Sequence, residues 1–331
     1  MRICVYGMGA IGGLLGYRLA AAGNDVSCVA RGRTLDALRA RGLGLAEDDG
    51  RVTYVPLRAA EDAAELGEQD LVVVAVKAPA FAEAVAGLKP LLGADTAVLP
   101  AMNGVPWWFF KGFGGRLEGR NLVTVDPAGA IAAAIPAPRV LGCVVHLGAS
   151  CPEPGVVRSL PLRRLILGEP SGQMSPRLAA VAAALRGAGF DVEETDSIRR
   201  EIWYKLWGNM TMNPISAVTG ATMDRIIDDP LVARFCMDAM AEARRVGEAI
   251  GCPIAQSEED RMAISRGLGA FKTSMLQDVE AGRAVELDAI VASVREIGAL
   301  AGVATPNIDI LLGLARLHAR VRGLYPGAAE T

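Results

Sequence analysis

The sequence predicts an α/β chain in two parts, a doubly wound nucleotide-type domain over residues 1–195 followed by an all-α domain over 196–331. Three observations carry this. Short β-rich apolar runs alternate with helical patterns through the first part. A glycine-rich turn joins the first run to the first helical pattern. From Ser197 onward the strand signals fade, while helical periodicity, punctuated by glycines, continues to the end. A chain of 331 residues is also long for a single core.

The first run, RICVYG, breaks at Gly7, and GMGAIGGLLGYRLAAAG then reads as a helix ending at Gly23. Gly7, Gly9 and Gly12, with Met8, Ala10 and Ile11 between them, form a G-x-G-x-x-G turn between strand and helix. The first glycine permits the tight turn and the second lets the backbone approach a pyrophosphate. The third lets helix and strand pack closely, with the helix amides toward the phosphates. This predicts a Rossmann dinucleotide site. The second strand, DVSCVAR, ends in Ala30-Arg31-Gly32-Arg33, where an NAD site usually carries a carboxylate for the ribose. A guanidinium there suits a 2′-phosphate, so Arg31 points to NADP(H); the alternative is a pair of solvated helix-start charges. DLVVVAVKAPA is a strand covered on both faces that ends in Lys77, and TAVLPAMNGV ends in Asn103-Gly104. Both ends lie at the carboxyl edge where such sheets bind ligands, although a surface lysine and an Asn-Gly turn are the plainer readings. VLGCVVHLG, VVRSL and RRLILGE read as later strands, the last two as a hairpin. PRLAAVAAALRGAGF and DVEET supply a helix and a closing strand.

In the helical part, WYKLWGNMTMNP places Lys205, Asn209 and Asn213 four residues apart, on one helix face. An ammonium and two amides in a helix rich in Trp and Met are either a solvated face or groups converging on something polar. A dinucleotide domain followed by helices predicts a cleft in which substrate meets nicotinamide.

Composition narrows the classes. Hydrophobic residues make up 51% and charged residues 21%, with a net charge of −3 and no basic run. Nucleic acid and acidic membranes are thereby poor partners. The six cysteines show no metal-ligand spacing and read as reduced thiols, and two histidines leave little for histidine chemistry. No signal peptide or membrane span is visible, which predicts a cytoplasmic protein without a metal.

GMGAIG, AVKA, MNG, KLWGNMTMNP and SMLQDVEAGRAVELDAI, in this order and spacing, resemble the ketopantoate reductases (2-dehydropantoate 2-reductases) over essentially the whole chain. The resemblance implies NADPH-dependent reduction of a 2-oxo acid on the route to pantothenate. It implies that Lys205 is the catalytic proton donor, that Asn209, Asn213 and Ser274 hold the substrate, and that Asn103 touches both ligands. It places Glu286 on the cofactor side of the site, orienting Lys205, with Lys77 and the Gly148 backbone as further cofactor contacts. A homodimer is compatible with it. Two features depart from the family. The connection after MNG is longer and carries Trp107, Trp108, Phe109 and Phe110, either packing into the core or a subunit contact, or a bulky apolar wall beside the substrate. Met223 stands where the family commonly has another substrate asparagine, and it cannot donate a hydrogen bond. Together they leave open the same chemistry on a larger or less polar 2-oxo acid. An opine-type dehydrogenase and a non-catalytic NADP sensor are the more distant readings.

Overall fold

A computed structural model describes residues 1–327, so the last four residues of the expected helical domain lie outside the described residues. Two compact units result. The first holds residues 1–102, 111–113 and 128–198; the second holds 103–110, 114–127 and the chain from 199 onward.

In the first unit the chain runs β1 (Arg2–Tyr6), α1 (Ala10–Ala21), β2 (Asp25–Val29), α2 (Gly32–Arg41), β3 (Leu43–Ala46), β4 (Val52–Val55) and β5 (Arg58–Ala60). It continues through β6 (Gln69–Val74), α3 (Ala78–Leu88), β7 (Leu92–Pro100), α4 (Ala130–Ala134), β8 (Gly142–Glu153), β9 (Val156–Gly168), α5 (Pro176–Gly187) and β10 (Asp191–Glu194). Strands β5-β2-β1-β6-β7 form a five-stranded sheet, paired parallel throughout. The strand order reverses at β1, which puts a ligand crevice beyond the carboxyl ends of β1 and β6. The Rossmann expectation is borne out.

A second sheet, β10-β9-β3-β4 with β8 on β9, holds the later strands. VVRSL and RRLILGE are not two arms of a hairpin but one strand, Val156–Gly168; the hairpin partner is β8, through the turn at Gly155. The interruption between the two runs, Pro161 between the exposed Leu160 and Leu162, lies on a solvent-facing stretch that pairs with β8 without being covered.

Helix α1 packs between the sheets, and its glycines are the reason it fits. A Cβ on Gly12 would sit 2.0 Å from the Gly7 carbonyl oxygen, and one on Gly13 would sit 2.5 Å from Val157 Cγ1 in β9. Ile3, Val5, Leu14, Leu15, Leu165 and Leu167 are buried in the core that surrounds it.

The second unit is helical: α6 (Ile198–Thr219), α7 (Met223–Asp228), α8 (Pro230–Ala249), α9 (Glu258–Arg266), α10 (Ser274–Glu280), α11 (Ser293–Ala301) and α12 (Pro306–Val321). A π-helical turn, Asp288–Ala292, leads into α11. The orientation of α6 is set by its tryptophans. Trp203 Nε1 donates to the Ala243 carbonyl at 3.3 Å and Trp207 Nε1 to the Met240 carbonyl at 2.8 Å, both on α8. Gly247 lets the indole of Trp203 in, since a Cβ there would lie 2.3 Å from Nε1. With the indoles committed to α8, the face carrying Lys205, Asn209 and Asn213 is turned roughly the opposite way, at about 100° per residue.

Candidate active site

The glycine turn has the geometry its residues dictate. Gly7 has φ +104°, a backbone that only glycine adopts without strain, and a Cβ there would press within 2.9 Å of the Ala75–Val76 backbone. Gly9, by contrast, caps α1 with open space where its Cβ would be. The first turn of α1 carries no acidic residue, and no side chain caps it. Its leading amides are left for an anion.

A groove of about 280 Å³ follows from this turn, lined by Tyr6, Gly7, Met8, Val29, Ala30, Arg31 and Thr34 on one side and by Val76, Ala80, Glu83 and Ala84 on the other. Arg31 is exposed, extended, and the residue preceding α2. The groove shape, the open Gly9 and the free helix amides fit a dinucleotide. Thr34 and Tyr6 line the groove and were not singled out from sequence, although Thr34, one turn into α2 after Arg31, carries the signal of a hydroxyl on the Arg31 face. Lys77 is half-buried, three residues beyond β6 and at the start of α3. Gly148 lies in β8, where a Cβ would sit 2.7 Å from Leu160 Cβ on β9. Packing against Leu160 is reason enough for glycine there.

Within the helical unit, Lys205 Nζ donates to Asn103 Oδ1 at 2.8 Å, which joins two of the expected residues across 102 positions of sequence. Asn209 and Asn213 extend the same face of α6. Neither side-chain amide makes a hydrogen bond among the described residues, although Asn213 is only 5% exposed. The Asn213 amide is not among the sealed unpartnered polar atoms of the described residues, so it stays open to solvent or to a ligand. Ser274 is exposed in the first turn of α10, and the capping there is done by Thr273, whose Oγ1 accepts from the Leu276 amide at 3.2 Å. The Ser274 hydroxyl is thereby not consumed by the cap. Glu286 is buried in the segment leading to the π-helical turn.

The two departures have structural explanations. Trp107, Trp108, Phe109 and Phe110 are at most 2% exposed. Phe109 meets Phe110 edge-on at 5.2 Å and Trp203 at 6.1 Å. The Arg199 guanidinium lies 5.6 Å from the centre of the Trp108 ring and its Nε donates to the Phe109 carbonyl. Burial pulls the Arg199 pKa down to about 10, so it remains charged at neutral pH. These aromatics are core, not a wall open to substrate. Met223 is also buried, as the first residue of α7, and its amide donates to the Phe271 carbonyl at 3.0 Å. Among the described residues, no cluster of His, Cys, Asp and Glu could hold a metal ion, and no helix is long and apolar enough to cross a membrane.

Comparison with known proteins agrees with this architecture. Residues 3–172 match the family described as ketopantoate reductase PanE/ApbA, and residues 197–319 match its C-terminal domain. The chain is 46% identical to a 2-dehydropantoate 2-reductase of Mesorhizobium japonicum, covering 98% of this chain and all of that one. The crystal structure of a putative ketopantoate reductase from Ralstonia solanacearum MolK2 superposes with a TM-score of 0.93 at 59% identity, covering 98% of this chain and 99% of that one. A D-mandelate dehydrogenase, solved with NADH and anilino(oxo)acetate, shares the fold at a TM-score of 0.82 but only 21% identity, over 98% of this chain and all of that one.

Proposed function

The chain belongs to the ketopantoate reductase family, an oxidoreductase family, and on that basis we propose that it reduces 2-dehydropantoate to pantoate with NADPH. The observation that carries this is the Lys205–Asn103 bond at 2.8 Å beside two unpartnered amides on the same helix face. The reduced nicotinamide supplies a hydride to the C2 carbonyl carbon. Lys205 donates the balancing proton to the carbonyl oxygen, and its ammonium stabilises the negative charge that develops there. Asn103 holds Nζ by accepting one of its three protons, so a second can point at the substrate. Asn209 and Asn213 take up the carboxylate and hydroxyl ends of the acid. Ser274 adds a donor, and Glu286 orients Lys205. Arg31, with the Thr34 hydroxyl beside it, reads the 2′-phosphate, and the amides of Gly9 to Gly12 take the pyrophosphate. Lys77 and the Gly148 backbone complete the cofactor contacts.

Met223 supports a second reading, the same chemistry on a less polar 2-oxo acid, because thioether cannot replace an amide toward a hydroxyl. The burial of Trp107 to Phe110 removes the other argument for it. Steady-state NADPH oxidation with ketopantoate beside a panel of bulkier 2-oxo acids separates the two. Ketopantoate is expected to give the highest kcat/KM; a larger, more apolar acid ahead of it would transfer the assignment to that acid.

A further inference from the structure

The π-helical turn after Glu286 departs from regular α-helical hydrogen bonding, and such turns occur frequently at functional sites. Its hydrogen bonding shows what it does. The Ser293 amide reaches back five residues to the Asp288 carbonyl. The Ala289 carbonyl, which in an α-helix would take that amide, accepts instead from the Val105 amide at 2.8 Å and from Ser293 Oγ at 2.8 Å.

Val105 belongs to the loop that presents Asn103. Between them, Gly104 has φ +85°, and a Cβ there would fall 2.3 Å from the same Ala289 oxygen. The loop can rest on the turn only because residue 104 is glycine and because the turn has freed a carbonyl. On its other side the turn is tied to the C-terminal segment. Tyr325 Oη donates to Asp288 Oδ1 at 2.5 Å, and the Val285 amide donates to the Leu324 carbonyl at 3.1 Å. Burial, reinforced by the Asp288 bond, pushes the Tyr325 phenol up, so it stays a donor at neutral pH.

We propose that this π-helical turn is the positioning device for the proton donor, with Ser293 and Tyr325 as positioning residues that act on Lys205 through Ala289, the 103–105 loop and Asn103. The proposal rests on Lys205 being the proton donor. Neither positioning residue is placed in contact with substrate or cofactor. Loosening the turn lets Asn103 drift, and Nζ then loses one of the contacts that aim it. The chemical step suffers, while the Asn209 and Asn213 amides remain to bind substrate.

The test compares Tyr325→Phe, Ser293→Ala and Lys205→Ala with the unmodified protein, using NADPH and ketopantoate. Each of the first two is expected to lower kcat by about tenfold, with both KM values changed by less than about twofold. The solvent deuterium isotope effect on kcat is expected to rise, because proton transfer becomes more limiting. A merely structural role would lower melting temperature and leave the isotope effect where it was. If Lys205→Ala is inactive but both variants keep the original kcat and isotope effect, the positioning claim alone is overturned. If Lys205→Ala keeps full kcat, the proton-donor reading falls and takes the positioning claim with it. Should one of the two variants fail to fold, the other decides.

Discussion

At Arg31 the backbone is extended and the exposed side chain lines the groove, two residues beyond a strand end that carries no carboxylate. A planar, permanently charged fork in that place discriminates between a 2′-phosphate and a 2′-hydroxyl, because only the phosphate gives it a bidentate anion. Arg31→Ala is expected to weaken NADPH binding by about tenfold or more, the cost of one charge-assisted pair, and to leave NADH within about twofold. Fluorescence titration with each dinucleotide checks this; equal losses for both would mean the phosphate is read elsewhere. Single residues were legible from sequence where a motif fixed their backbone. Gly7 and Gly12 are of this kind, since each is forced by a close approach that a Cβ would break. Gly148 is not, because the contact that demands it, Leu160 on the neighbouring strand, is defined only by strand pairing.

Elements were legible in proportion to their local signal. Strands β1, β2, β6 and β7 of the first sheet announce themselves as apolar runs, whereas its edge strand β5, and β3 and β4 of the second sheet, are three or four residues long and carry too little pattern to be read. Strand β9 reads as two runs for a related reason, since its middle is exposed and carries Pro161, a residue that usually breaks a strand. The π-helical turn has no sequence period of its own and became visible only through its hydrogen bonds. The four aromatics of 107–110 could be read as wall or as core, and burial decides for core. That has an energetic consequence. Phe109 is fully buried between Phe110 and Trp203, so Phe109→Ala removes a ring and leaves a cavity. A loss of about 3–5 kcal/mol is expected. All four tryptophans of the chain, Trp107, Trp108, Trp203 and Trp207, lie in the helical unit, so indole fluorescence during urea unfolding reads that unit selectively. A loss under about 1 kcal/mol would show that the cluster is loosely packed.

Over the whole molecule, four buried thiols set an alkaline limit. Burial raises Cys4, Cys28, Cys236 and Cys252 from the ordinary 9.0 to about 12. Between those values the folded chain keeps protons that the unfolded chain releases. Their contribution is thus fully present below about pH 9 and is lost as pH rises toward 12. The urea midpoint is expected to fall across that window, and Cys28→Ala, which removes one such thiol, to make the fall less steep. A midpoint that stays flat between those limits, or a slope unchanged by the substitution, would contradict this.

The account turns on Lys205 as the group that protonates the reduced carbonyl, and the most direct measurement is single-turnover NADPH oxidation by Lys205→Ala with ketopantoate, alongside NADPH affinity. The expected result is a rate lower by about two to four orders of magnitude with dinucleotide binding nearly intact, the range for loss of a general acid that also stabilises charge. A rate close to that of the unmodified protein would remove Lys205 from the mechanism.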